Sequence, residues 1–186
     1  MANLRKSLQG RLILDSGKLF GSFFERAVVL ICRHDESGSF GLVLNRPLKQ
    51  SLGTSVRESL PDDLAGAPLY GGGPVQPSVL SFLKETEPQP ESELLPWLVM
   101  GHLLEDLKEF ASVGKEPARY RVFAGYSGWA SGQLENEMKT GCWITYAASA
   151  ALVFYPDPSA LWRHVLREKG GFYRLIAGCP DDPSRN

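Results

Sequence analysis

The segment Gly125-Tyr126-Ser127-Gly128-Trp129 sets a serine between glycines at the end of an alternating strand pattern. That is the setting in which a nucleophile elbow lifts a hydroxyl above a sheet. The elbow motif is G-x-S-x-G, however, and its last glycine is here Trp129, whose ring would fill the space where backbone and helix must pack. A serine nucleophile also needs an imidazole and an oxyanion pocket, and none of His34, His102 and His164 has a glycine-rich segment beside it. The five residues therefore read as a tight strand-to-helix turn, with glycines supplying the backbone angles and Trp129 plugging the core. Just downstream, Glu135 and Glu137 stand two residues apart on an expected helix and point in different directions, which does not suit a shared acid/base pair. Gln133 and Glu137 form a stripe beside Leu134 and Met138, so the expectation is a solvated face with one carboxylate bonding a neighbouring loop.

Other clusters point to weaker chemistry. Gly71-Gly72-Gly73-Pro74 could offer backbone N–H groups to an anion, but Pro74 has none and no Lys-Ser/Thr follows, so a close crossing of two main chains is expected. His34-Asp35-Glu36 holds three potential metal ligands, yet adjacent residues rarely converge on one ion, and no H-E-x-x-H pattern exists. Arg46, in Asn45-Arg46-Pro47, could hold a phosphate or carboxylate bidentately, with a surface salt bridge as its plain reading. Arg163, His164, Arg167 and Lys169 crowd one helix end, where cations complement the helix dipole, and no helix-turn-helix pattern precedes them. Cys32, Cys142 and Cys179 lack C-x-x-C spacing; Cys32 and Cys142 adjoin apolar runs and read as small buried hydrophobes.

The elements that must position these residues follow from periodicity. Residues 12–14 suit a short first strand, and 27–32 form a nearly continuous β-branched run, as in a strand covered on both faces. A polar turn ending in Gly38 leads to a second apolar run at 40–44, giving an antiparallel hairpin. A helix is expected over 51–60, strands over 79–83 and 97–100, a surface loop over 84–96, and an amphipathic helix over 103–113. Residues 119–126 alternate, with Tyr120, Val122, Ala124 and Tyr126 on one face and Arg119, Arg121 and Phe123 on the other. Ser131 should cap a helix reaching Lys139, a strand follows near Trp143, and Asp157-Pro158 opens a helix that Gly170-Gly171 ends. Hairpins with helices inserted late favour α+β over a doubly wound sheet.

Composition narrows the function class. With 186 residues, 43% hydrophobic and 22% charged, the chain is long enough for one domain spanning 1–186 with a core of its own. A formal net charge of -1 argues against a dedicated nucleic-acid binder. The N-terminus lacks the apolar stretch of a signal peptide, and residues 142–155 are too few to cross a bilayer, which takes about 18. A cytoplasmic protein without membrane association is expected.

Three segments together resemble the AlgH/YqgE family of bacterial proteins. They are 24–34 continuing into Gly41-Leu42-Val43-Leu44-Asn45-Arg46-Pro47; Gly71-Gly72-Gly73-Pro74-Val75; and Gly125-Tyr126-Ser127-Gly128-Trp129 followed by Gly132-Gln133-Leu134-Glu135-Asn136-Glu137 and Trp143. The similarity runs from about Gly10 to Gly171. It implies an α+β domain whose mostly antiparallel sheet curls into a small, bifurcated barrel flanked by helices. It implies no reaction and no cofactor, only a transcriptional-regulator label attached to one member of a largely uncharacterised family. Relatives often carry alanine at the Ser127 position, which a nucleophile would not permit. The chain departs from the pattern at Leu14-Asp15-Ser16, where relatives often have a small residue and proline, and at Lys84, where a histidine is common. The resemblance makes Asn45, Arg46, Gly72, Gly73, Pro74, Gly125, Tyr126, Trp129, Gln133 and Glu135 the candidate binding residues, with no catalytic or metal-ligating residue. The expectation is a non-enzymatic binding or regulatory module acting through a protein partner or small ligand. The alternative is a hydrolase or transferase using Ser127 or Glu135.

Overall fold

Alternation explains the long apolar runs near the N-terminus. In the computed structural model, which describes residues 7–55, 60–102, 106 and 119–180, β1 (Arg11–Asp15) and β2 (Val28–Asp35) are interior strands of a sheet with both faces covered. Leu12, Leu14, Val28 and Leu30 enter a large core cluster on one face, while Ile13, Val29 and Ile31 enter a second cluster on the other. A strand with two buried faces has no polar face to show, so its sequence reads as unbroken β-branched and aliphatic residues. The expected hairpin is present: β2 pairs antiparallel with β3 (Gly38–Val43), Val29 opposite Val43 and Leu30 opposite Leu42.

Three short elements follow: β4 (Pro47–Ser51), α1 (Leu52–Ser55) and α2 (Asp62–Ala65). The helix expected over 51–60 thus begins as a strand residue, and residues 56–59 lie outside the described ones. Then come β5 (Pro68–Gly71), β6 (Val75–Glu85), β7 (Leu98–Gly101) and β8 (Tyr120–Ala130). Of the helix expected over 103–113, only Asp106 is described, and it is helical. The chain closes with α3 (Gln133–Lys139), β9 (Trp143–Ala147), α4 (Ala150–Val153), α5 (Pro158–Lys169) and α6 (Tyr173–Gly178). Asp157 caps α5 by accepting from the Ser159 and Ala160 amides, and Gly170 leaves it at φ 77°, as Asp-Pro and Gly-Gly predict. Ser131 does not cap α3. Its hydroxyl donates instead to the Glu36 carbonyl at 2.7 Å, and Gly132 occupies the cap position.

The architecture is mixed α+β, with one mostly antiparallel nine-stranded sheet flanked by helices. The strand path runs β4-β5-β8-β3-β2-β1-β9, and β6 and β7 branch from β8. The sheet is bifurcated, as the resemblance implies, but open: among the described residues β4 and β9, at the ends of the path, do not pair with each other. The fork lies within β8. Its residues 120–126 pair with β6 and residues 122–124 also pair in parallel with β5, whereas residues 127–130 pair with β3.

One residue decides how β8 makes that change. Gly125 sits at φ +69°, and the β6–β8 register shifts there, from Val75 opposite Tyr126 to Leu80 opposite Ala124. Five steps along β6 face two along β8, so the extra residues lie on β6, and the left-handed turn at Gly125 flips the faces of β8 beyond it. Val122 therefore enters a third core cluster, against which Tyr120 and Ala124 pack, while Tyr126 packs with the large cluster that holds Phe123. The expected sharing of one face by Tyr126 and Ala124 is corrected by this slip. Gly125 to Trp129 is also not a strand-to-helix turn: the strand continues through Ala130.

Candidate functional site

The glycines of the two glycine-rich segments exist for each other. A Cβ built on Gly73 would lie 2.1 Å from the Tyr126 carbonyl carbon, and one on Gly72 would lie 2.3 Å from the Gly125 oxygen. The Gly72 amide donates to Ala124 O at 2.9 Å, and the Gly72 carbonyl accepts from the Val43 amide at 2.9 Å. Two main chains cross at a distance only glycine allows, as the sequence suggests, and Pro74 follows where no amide is needed.

Ser127 lies at the centre of that crossing. It is 0% exposed, and its hydroxyl donates to the Gly72 carbonyl at 3.0 Å. A nucleophile hands its proton to a base and must reach a substrate. This hydroxyl faces a main-chain carbonyl inside the sheet. Ser127→Ala is expected to lower stability by about 1 kcal/mol, the size of one lost hydrogen bond. Urea unfolding measures that loss, and complementation of a chromosomal deletion by the variant should be undiminished.

The two carboxylates of α3 serve different neighbours. Glu137 Oε2 accepts from the indole N–H of Trp129 at 2.9 Å and of Trp143 at 2.7 Å, and its Oε1 accepts from Gln133 Nε2 at 3.0 Å. Phe24 stacks on Trp129 at 5.9 Å and meets Trp143 edge-on at 5.6 Å. Trp129, Gln133 and Glu137 thus fasten α3 to the sheet; Gln133 Oε1 also accepts from the Ala130 amide at 3.1 Å. Glu135 sits 3.6 Å from His34 Nε2. The Leu8 amide donates to His34 Nδ1 at 2.8 Å, which makes Nδ1 the acceptor and places the ring proton on Nε2, toward Glu135. With a side chain 7% exposed, His34 is a packed residue. Asp35 turns the other way, accepting from the Ser37 amide at 2.8 Å, so the His34-Asp35-Glu36 trio does not converge. Among the described residues no group of three or more potential ligands could hold a metal ion.

The cysteines and the basic helix are similarly occupied. Cys32 is buried beside Leu30 and Leu42, and burial pushes its thiol pKa far up, away from thiolate chemistry. Cys142 is only partly buried, less enclosed than expected, and Cys179 is exposed. On α5, Lys169 donates to Thr145 O at 3.1 Å, Arg163 donates to the Cys179 carbonyl at 2.8 Å, and His164 stacks on Tyr155 at 4.5 Å. Arg121, which alternation places on a buried face, donates to Leu44 O at 2.9 Å and lies over the Tyr70 ring.

Two open clefts stand out against this packed background. The first, of about 530 Å³, opens at the fork of the sheet. Phe40 and Tyr126 form its aromatic wall, with ring centroids 4.9 Å apart. His102 stands beside them, its Nδ1 3.0 Å from the Ser81 hydroxyl, and Arg33 and Gln76 also line the cleft. The second cleft, of about 540 Å³, lies between the end of the β2–β3 hairpin and α5, and Arg26, Asn45, Arg46 and Arg163 line it. Among the described residues, the two non-glycine positions with positive φ each line one cleft: Gln76 at φ 46° in the first and Arg26 at φ 53° in the second. Such backbone costs roughly 1–3 kcal/mol and persists only where surroundings enforce it.

The candidate residues therefore divide. Tyr126 lines the fork cleft together with Trp129, and Asn45 and Arg46 line the other. Gly72, Gly73, Pro74 and Gly125 form the crossing behind the fork, while Gln133 and Glu135 on α3 line neither cleft. Arg46, Tyr126 and Glu135 do not share one pocket. Phe40, Ser81, His102 and Gln76 are not legible as site residues in the sequence, because strands distant along the chain bring them together only at the fork. Asp15 and Arg26 carry no local signal for the same reason.

The family question is decided by direct comparison. The AlgH-like family model matches residues 12–174, most of the chain. The chain belongs to the AlgH-like family. A UPF0301 protein of Chlorobium luteolum is 38% identical over 181 residues, covering 95% of this chain and 94% of the relative. The UPF0301 protein SCO2948 of Streptomyces coelicolor is 39% identical over 187 residues, covering 97% and 96%. Among solved structures, the AlgH protein of Pseudomonas aeruginosa superposes with a TM-score of 0.74 at 25% identity, covering 95% of this chain and 96% of that one. Protein DIP2367 of Corynebacterium diphtheriae, at 24% identity, shares the fold with a TM-score of 0.76, covering 96% and 95%. The AlgH-like fold accounts for the forked sheet, and these names assign no reaction to it. No helix among the described residues is long and apolar enough to cross a membrane.

Proposed function

We propose that this AlgH-like chain is a non-catalytic, cytoplasmic binding module that receives a small ligand in the cleft at the fork of its sheet. The supporting observation is the convergence of Phe40, Tyr126, Ser81 and His102 around about 530 Å³ of open space. A concave site with an apolar wall and a few placed polar groups is the usual form of a ligand site. The paired rings suit a flat, partly apolar group, and Arg33 and His102 at the edge suit an acidic substituent. Behind the cleft, the left-handed turn at Gly125 and the main-chain crossing hold Tyr126 in place, so the wall is pre-organised rather than assembled on binding. A regulatory role, the label attached to one member of the family, follows in this reading from ligand or partner binding. It does not require α5 to read DNA, and the internal bonds of Arg163 and Lys169 favour that view.

The test is an amide-resolved titration with a panel of aromatic carboxylates and nucleoside monophosphates. Shifts should gather on Val75, Gln76, Tyr126 and Gly128, and Tyr126→Ala should weaken binding by about tenfold or more, as loss of an aromatic anchor does. A Tyr126→Ala protein that binds every hit as tightly as the parent would end this reading.

A further inference from the structure

The second cleft carries a site of different chemistry. Arg46 is half-buried at its wall, where its guanidinium donates to the main-chain carbonyls of Asn45, at 3.2 Å, and of Glu25. A guanidinium has five N–H donors. Arg46 engages two of them and forms no ion pair among the described residues, which leaves three donors unengaged by those residues. The surface salt bridge that would explain it plainly is not made. Glu25, the one carboxylate lining the cleft among the described residues, turns its Oε2 to the Gly21 amide at 3.0 Å. Arg26 and Arg163 line the same cleft.

The chain holds this arrangement at a cost. Arg26 sits at φ 53°, its amide donating to Asp15 Oδ2 at 2.8 Å and its carbonyl accepting from Asn45 Nδ2 at 2.9 Å. Two buried side chains thus clamp a strained residue that lines the cleft next to Arg46. Burial lowers the Arg46 pKa, and Arg163 is lowered by burial first and then by Arg26 and Arg167. At Arg46 the nearby carboxylates of Glu25 and Asp15 oppose that shift without cancelling it.

We infer that the cleft between the β2–β3 hairpin and α5 binds an oxyanion of the phosphate class, with Arg46 as its bidentate anchor. Two parallel N–H···O bonds from a guanidinium match the oxygen spacing of a phosphate, which a lysine's single ammonium cannot reproduce. The site is separate from the fork cleft and does not rest on it.

The experiment follows the Arg side-chain Nε–Hε and backbone amide resonances of the full chain during titration with inorganic phosphate, against sodium chloride at matched ionic strength. Saturable shifts are expected at the Arg46 Nε–Hε and at the amides of Ser22, Arg26 and Ser159, with chloride producing none. Arg46→Lys, which keeps the charge and most of the stem, should weaken phosphate binding about tenfold, while Tyr126→Ala should leave it unchanged. Because the wild-type resonances report binding directly, the result stands even if Arg46→Lys folds poorly. Repeating the titration with vesicles of phosphatidylglycerol shows whether the same donors accept a lipid phosphate. Linear shifts that phosphate and chloride produce alike would overturn the inference, as would undiminished binding by a folded Arg46→Lys protein.

Discussion

Gly73→Ala is expected to destabilise the protein by more than about 4 kcal/mol, or to prevent folding altogether, an effect larger than most single substitutions produce. Gly73 needs no unusual φ, so the cost is contact alone. The added methyl would lie 2.1 Å from both the carbon and the oxygen of the Tyr126 carbonyl and 2.3 Å from the Ser127 nitrogen. All three are main-chain atoms of β8, which cannot move aside because β5, β6 and β3 all pair with it. Shifting β8 would also disturb the Ser127–Gly72 hydrogen bond and the Tyr126 wall of the fork cleft. Gly132→Ala is the natural comparison. Gly132 has φ +74° but nothing within 4 Å of a Cβ, so its cost should stay near 1–2 kcal/mol, roughly the strain of a left-handed backbone. Urea unfolding of both variants decides the matter. A Gly73→Ala protein within 1 kcal/mol of wild type, roughly the effect of an ordinary surface change, would show that the crossing is not the rigid element described.

Asp15→Ala should come second, with a loss of about 3 kcal/mol or more. Asp15 is 1% exposed, and its carboxylate organises the loop from residue 16 to residue 26. Oδ1 accepts from the amides of Gly17 at 2.8 Å and of Lys18 and Leu19 at 3.1 Å, while Oδ2 accepts from Arg26 at 2.8 Å. Its main-chain carbonyl also takes the Trp162 indole N–H at 2.9 Å, tying the loop to α5. Alanine leaves four amides without their acceptor and removes the clamp on the strained Arg26 backbone. Phe24, carried by the same loop, then loses its fixed place against Trp129 and Trp143. An asparagine side chain keeps one carbonyl oxygen, so Asp15→Asn should fall between alanine and the parent. Hydrogen exchange provides the specific readout: the amides of Gly17, Leu19 and Arg26 should lose protection well before the strands do. Uniform protection loss across the sheet, or none in the loop, would contradict this account. At Leu14-Asp15-Ser16 this chain has a buried carboxylate in charge of a whole loop.

Elements whose partners are adjacent in sequence were legible. The β2–β3 hairpin follows from two apolar runs and a polar turn, and α5 follows from Asp157-Pro158 and Gly170-Gly171. Local backbone preferences and hydrophobic period act over a few residues, so they write themselves into the chain. The glycines at 72, 73 and 125 likewise announced a tight crossing, because no other residue type tolerates one. Residue types also sufficed to make Ser127 a poor nucleophile, since a bulky Trp129 denied it an elbow. The phase of β8 was not legible. An alternating pattern cannot show that Gly125 takes a left-handed φ, and that turn carries Tyr126 to a different face from Ala124.

The sequence by itself determined the class of fold, the principal hairpin and the glycine crossing, all of which rest on local sterics and periodic burial. Only the tertiary structure decided which side chains meet. Phe40, Ser81, His102 and Tyr126 come from four separate segments, and the fork of β8 makes them neighbours. Arg46 gained its setting in the same way, from Asp15 and Asn45 fixing Arg26 and from α5 closing the far wall. A cleft is made by contacts between residues far apart along the chain, and no spacing within any one segment encodes them.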